Sequence, residues 1–220
     1  MTAHRSPAPD DGVFDVGFAA ELDRLFRWRR DVRRFRTDPL ADGLLEEIIA
    51  SAELSPSVGN SQPWRWVQVV SPERRAAIRE AFGDANAEAL EGYRGDRARV
   101  YAGLKLSGLD DAPVHLAVFA HPDPGQGDGL GRRTMPETVE YSVVMAVASL
   151  WFAARARGIG VGWVSIIDPA RVHAALDVPD DWRLVAYLCL GYPAAASEVP
   201  ELETVGWQAR TDAARRRLTR

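Results

Sequence analysis

Residues 134–167 read TMPETVEYSVVMAVASLWFAARARGIGVGWVSII, and the fold is read outward from them. Thr134 and Glu137 have the spacing of a capping box, Pro136 falls in a first turn, and Gly158 stands where a helix-ending glycine belongs. The pattern predicts a helix between them. Tyr141, Val144, Met145, Ala148, Leu150, Trp151 and Phe152 spread around most of its circumference, so it belongs in the core or at a subunit interface. Residues 161–167 form a short apolar run of the kind found in buried strands.

Similar signals continue on both sides. Phe18, Leu22, Leu25 and Phe26 recur at helical spacing and give a first helix over 14–28. A second helix starts near Pro39, carries Leu40, Leu44, Leu45, Ile48, Ile49 and Ala52, and stops ahead of Pro56. Residues 64–70 alternate as a strand, Ser71 caps a short helix ending near Phe82, and a more polar helical stretch covers 85–106. Strands follow at 114–120 and 184–190, with a small helix around Val172, Ala175 and Leu176. This order predicts an α+β fold, central helices packed on a mixed sheet.

With 220 residues, 46 % of them hydrophobic, the chain suits one domain with a tail. Residues 1–12 are polar and Pro-rich, read as a disordered arm; residues 194–210 read as an extended tail and 211–220 as a basic end. The net charge of −4 argues against nucleic acid as a partner. One cysteine excludes a disulfide framework, and four histidines without ligand spacing argue against a metal. No apolar leader opens the chain, and the most apolar run, 139–154, contains Glu140 and is shorter than a membrane span. The expectation is a soluble, cytoplasmic protein without membrane contact.

Four segments carry candidate chemistry. Arg29, Arg30, Arg33 and Arg34 surround Asp31 and Val32; from composition a solvated face is the plainer reading, and guanidinium forks that suit a phosphate the functional one. Asp31 is the odd residue, either a partner for an arginine or a carboxylate held in a site. The loop 55–64, SPSVGNSQPW, offers Ser57 and Asn60 to a polar, planar ligand, or is a plain connector. Gly158, Gly160 and Gly162 clear space for something close to the backbone, a flat aromatic ring or a closely packed helix, and Ser165 follows them. Arg210 closes the tail after GWQA at 206–209.

Taken together, in this order, these segments resemble the nitroreductase-like flavoproteins. The strings RRDVRRF (29–35), LKLSGLDDAPVHLAVF (104–119), GLGRRTMPETVEYS (129–142), LWFAARARGIGVGWVSI (150–166) and VAYLCLGYP (185–193) are similar to one branch, the 5,6-dimethylbenzimidazole synthase family, and the likeness covers about 14–210. It implies a single domain over 13–210 with a central mixed or antiparallel sheet flanked by helices, in an intertwined homodimer. It also implies an activity: reduced FMN, delivered by a separate flavin reductase, reacts with dioxygen and is fragmented to 5,6-dimethylbenzimidazole, the lower ligand of cobalamin, and erythrose 4-phosphate. No metal takes part.

By the same resemblance Arg29, Arg30, Asp31, Val32 and Arg33 belong to the FMN-binding stretch, Ser57 to the flavin loop, Gly162 and Ser165 to the strand beside the ring, and Arg210 to the phosphate. Leu106 falls in a lid over about 101–113. Asp31 and Ser165 are the catalytic pair, Asp31 as base. Ordinary nitroreductases commonly carry Ser at the place of Asp31, so by this resemblance Asp31 is the best discriminator between the synthase and the alternative, an NAD(P)H-dependent FMN nitroreductase or quinone reductase. Asn60 departs from the synthase branch, where a larger apolar residue is common.

Overall fold

The computed structural model describes residues 12–104, 108–211 and 218–219. Leu106, residues 1–11 of the arm and most of the C-terminal end therefore lie outside the described residues. In chain order the elements are α1 (Val16–Trp28), α2 (Leu44–Ala52), β1 (Trp64–Gln68), α3 (Pro72–Glu91), α4 (Gly95–Gly103), α5 (Gly108–Asp111), β2 (Val114–Ala120), α6 (Thr138–Ala156), β3 (Gly160–Val164), α7 (Pro169–Leu176), β4 (Arg183–Gly191) and α8 (Glu201–Thr204).

The four strands form an antiparallel sheet in the order β1-β2-β4-β3. All seven residues of β2 are buried, as its unbroken apolar run requires for a strand covered on both faces. On one face Ile48 and Ala52 of α2 and Val143, Val147 and Leu150 of α6 pack on Leu116, Val118 and Leu188. On the other, Ile78 of α3, Val172 of α7 and Phe35 pack on Phe119, Tyr187 and Cys189. The result is three layers with the sheet in the middle, one α+β unit as expected.

Several boundaries differ from expectation, each for a local reason. The capping box does not form. Thr134 and Met135 both donate their backbone N–H to the carbonyl of Gly131, which holds 134–137 in turns, and α6 begins only at Thr138. Gly158 does end the helix: its φ is +78°, and Ile159 N donates to Ala154 O at 2.9 Å. Phe82 is no stop. Gly83 lies inside α3, which runs 20 residues from its Ser71 cap, and the expected second stretch shrinks to α4. The tail is not wholly extended, since α8 lies within it.

The apolar girdle of α6 is buried on one side only. Tyr141, Val144 and Met145 stay open, at 56, 42 and 49 % exposure, and α1 buries none of its residues and exposes Phe18, Leu22 and Phe26. Phe26 meets Phe152 edge-on at 4.9 Å, so α1 rests on the C-terminal half of α6. By length and composition α6 could cross a membrane, but its closed side packs on the sheet as a core helix does.

Candidate active site

Residues 29–35 lie along the outer edge of β3. Val32 N donates to Val161 O at 3.0 Å and Asp31 pairs with Val161 in parallel register; further on, Arg36 N donates to Tyr192 O and Ala194 N to Arg34 O. The alternate glycines make this approach possible. A Cβ on Gly162 would stand 2.1 Å from the Val32 carbonyl oxygen, and one on Gly160 would stand 2.8 Å from Val32 Cγ2. What comes close to these glycines is thus the protein's own Arg-rich segment. At Gly162 it is this non-helical segment, and not a packed helix, that comes close.

That docking fixes Asp31. Its Oδ1 accepts the Trp163 backbone N–H at 2.9 Å, and its Oδ2 accepts from Arg33 Nε at 3.3 Å. Burial raises the carboxyl above the usual carboxylate range, and the Trp163 N–H and the Arg33 guanidinium oppose that shift. The outcome is a carboxylate with one oxygen anchored to the backbone and a raised proton affinity. Such a group is suited to taking up and returning a proton.

Around it the arginines part company. The Arg29 guanidinium sits 5.0 Å from the centre of the Trp151 ring, whose Nε1 donates to Arg30 O at 3.1 Å. Trp163 lies beside that indole, with centroids 6.3 Å apart. Arg30 donates from Nε to Arg27 O at 2.8 Å and from Nη2 to Phe26 O at 3.0 Å, closing the C-terminal end of α1. Arg34 pairs with Glu201 of α8 at 3.1 Å. Arg210, exposed, comes within electrostatic reach of both Arg29 and Arg30; burial first, then Arg210 at Arg29 and Arg29 followed by Arg210 at Arg30, lower their proton affinity. Three like charges gathered this way favour an anion between them. A cavity of about 210 Å³ lies alongside, lined by Arg30, Asp31, Val32, Arg155, Pro193 and Glu201 among others.

Not every expected residue joins them. Ser165 is exposed, just past the end of β3. Ser57 is elsewhere: its Oγ accepts Gln62 N at 3.0 Å, and the next residue, Val58, donates N–H to Ser142 Oγ at 3.0 Å. Ser142 precedes Trp151 by nine residues on α6, about 13 Å along the axis, so the Ser57 loop and the Asp31 segment occupy opposite ends of that helix. Asn60 is exposed and gives its carbonyl to Gln126 Nε2. Trp151 and Trp163 escaped notice as site residues, although an indole on each flank of the glycine run was the available signal. Among the described residues, no three His, Cys, Asp or Glu side chains gather where a metal could be held.

Comparison with known proteins gives the family. Residues 26–192 match the model of the nitroreductase family. A 5,6-dimethylbenzimidazole synthase of Rhodospirillum rubrum is 54 % identical over 90 % of this chain and 94 % of its own length. A protein of the same name from Rhodobacter capsulatus is 47 % identical over 85 % of this chain and 90 % of its own. Among solved structures, oxidised iodotyrosine deiodinase bound to FMN and 3-iodo-L-tyrosine superposes with a TM-score of 0.67 at 26 % identity, over 80 % of this chain and 91 % of that one.

Proposed function

Because the chain belongs to the nitroreductase family, and within it to the 5,6-dimethylbenzimidazole synthases, we propose that it binds reduced FMN as a substrate and breaks it down with dioxygen. Asp31 carries this reading. A carboxylate among arginines weakens the attraction for a phosphate, so its place there, anchored at 2.9 Å to Trp163 N, argues for a chemical role.

The residues present fit FMN. Arg29 and Arg210 supply guanidinium donors for the phosphate dianion; Arg30 joins them only by leaving the α1 carbonyls it now caps. The flat faces of Trp151 and Trp163 and the Val32 backbone offer a wall for a planar ring. Bound, reduced FMN supplies the electrons and the carbon skeleton, with dioxygen as oxidant and 5,6-dimethylbenzimidazole and erythrose 4-phosphate as products. Asp31 takes and returns protons through Oδ2 while Oδ1 stays on Trp163 N. Arg33 keeps Oδ2 turned toward the site. Ser165 assists proton movement at the open end of β3. The segment 101–113, with Leu106, excludes water.

One chain holds Ser57 away from Asp31, and the open apolar flank of α1 and α6 invites a second copy. In a homodimer pairing these flanks antiparallel, Ser57 of one copy meets Asp31 of the other. The enzyme then works in the cytoplasm, with a flavin reductase supplying its substrate.

The test is aerobic incubation with chemically reduced FMN. The flavin absorbance should be lost and 5,6-dimethylbenzimidazole should accumulate; full recovery of FMN would sink the proposal. Asp31→Ala should bind flavin and form product at under about a hundredth of the parent rate, the usual scale of a lost general base. A second reading, NAD(P)H-dependent reduction of nitroaromatics or quinones, is favoured by Asn60, which this chain shares with the wider superfamily. It predicts steady NAD(P)H oxidation with the flavin unchanged.

A further inference from the structure

The tail is held at two points before it reaches Arg210. Glu201 Oε1 accepts from Arg34 Nη2 at 3.1 Å. Gly206, with φ +75°, then ends α8, and Trp207 N donates to Leu202 O at 2.8 Å, which turns the chain toward α4. There the Trp207 ring packs edge-on against Tyr93 at 5.3 Å and lies tilted to Tyr101 at 6.2 Å. Arg97 places its guanidinium 4.7 Å from the indole centre, and its Nη1 also donates to Trp207 O. Tyr93 and Tyr101 stack on each other at 4.8 Å.

Two features give this cluster meaning beyond packing. Tyr101 is 7 % exposed and its hydroxyl has no hydrogen-bond partner among the described residues. An unsatisfied buried hydroxyl costs about 1–3 kcal/mol, so the residue stands there for its ring, at a cost to stability. Arg210 follows Trp207 by three residues, at most about 10 Å of chain, and faces two like charges, Arg29 and Arg30, that repel it when no anion is bound. A free tail would drift away from them.

We infer that Trp207 is a positioning residue: clamped by Tyr93, Arg97 and Tyr101 at the α3–α4 junction, it holds Arg210 at the phosphate end of the site against the repulsion of Arg29 and Arg30. This rests on the reading that the site takes FMN. Its consequence is selectivity for phosphorylated over unphosphorylated flavin.

Binding of oxidised FMN and of riboflavin, followed by flavin fluorescence, tests it without turnover. Trp207→Leu should weaken FMN by about tenfold, the scale of one charge-assisted phosphate contact, and leave riboflavin within twofold. Trp207→Phe should keep most of the affinity. Arg97→Ala, approaching the cluster from α4, should act in the same direction. Arg210→Ala should match Trp207→Leu, and the double variant should be no worse than either alone. Equal losses for both flavins, additive losses, or an unchanged FMN constant in Trp207→Leu would overturn the inference. A parent chain that binds neither flavin would overturn the functional reading beneath it as well.

Discussion

At Gly162 a single hydrogen atom decides where the carboxylate of Asp31 stands. Any side chain there collides with backbone, the Val32 carbonyl at 2.1 Å, whereas at Gly160 the first obstacle is the end of a valine side chain at 2.8 Å. Gly162→Ala should therefore cost about 3 kcal/mol, at the upper end for an overpacked site, and Gly160→Ala distinctly less. Urea unfolding of the two variants checks the order. Because the displaced segment carries Asp31, Gly162→Ala should also lose product formation, and an active, fully stable variant would contradict the account. In the sequence Asp31 was legible as the anomaly in a basic run, and resemblance supplied its role. The role of Gly162 was not, since a glycine announces that something comes close without saying what. That partner lies 130 residues upstream in the chain.

Elements were readable in proportion to how much their own residues determine them. β2 and β4 were found nearly to the residue because continuous apolar runs leave few alternatives. The start of α6 was misplaced because left-handed glycines at 129 and 131 impose turns that override a Thr-x-x-Glu signature. α3 was cut short because Gly83 costs an exposed helix only about 1 kcal/mol, too little to end it. Between β2 and β4 lies a polar pair that periodicity cannot show: His115 Nδ1 and Tyr187 Oη are 2.9 Å apart and both residues are fully enclosed. Burial first, then Arg75 and Arg79, lower the His115 pKa to about 4, against about 6.5 for an unfolded chain. The sign follows: neutral His115 contributes stability above pH 6.5, and that contribution is lost as the pH falls toward 4. The loss should total about 3 kcal/mol. Urea midpoints measured from pH 7 to pH 4 should show it, and His115→Phe should flatten the curve over that window, although it leaves the Tyr187 hydroxyl unpaired.

For the molecule as a whole, the apolar flank formed by α1 and α6 makes the strongest demand. Phe18 at 46 % and Met145 at 49 % exposure are costly to leave in water, and the homodimer proposed above would cover them. Met145→Lys should halve the mass seen by light scattering and weaken FMN more than tenfold, because Ser57 then has no neighbour to serve; a monomer with parental flavin affinity would separate dimer from site. The seam that residues 31–36 make with β3 and with the chain just past β4 also sets a timetable. Its contacts reach from Asp31 to Trp163, and from Arg34 to Ala194, so on a ribosome this segment has nothing to dock on until residues 161–194 have been made. Such long closures come late in folding. The arginines and Asp31 are then among the last residues to be fixed, and on the proposed function a nascent chain would gain its flavin site only after residues 161–194 have been made.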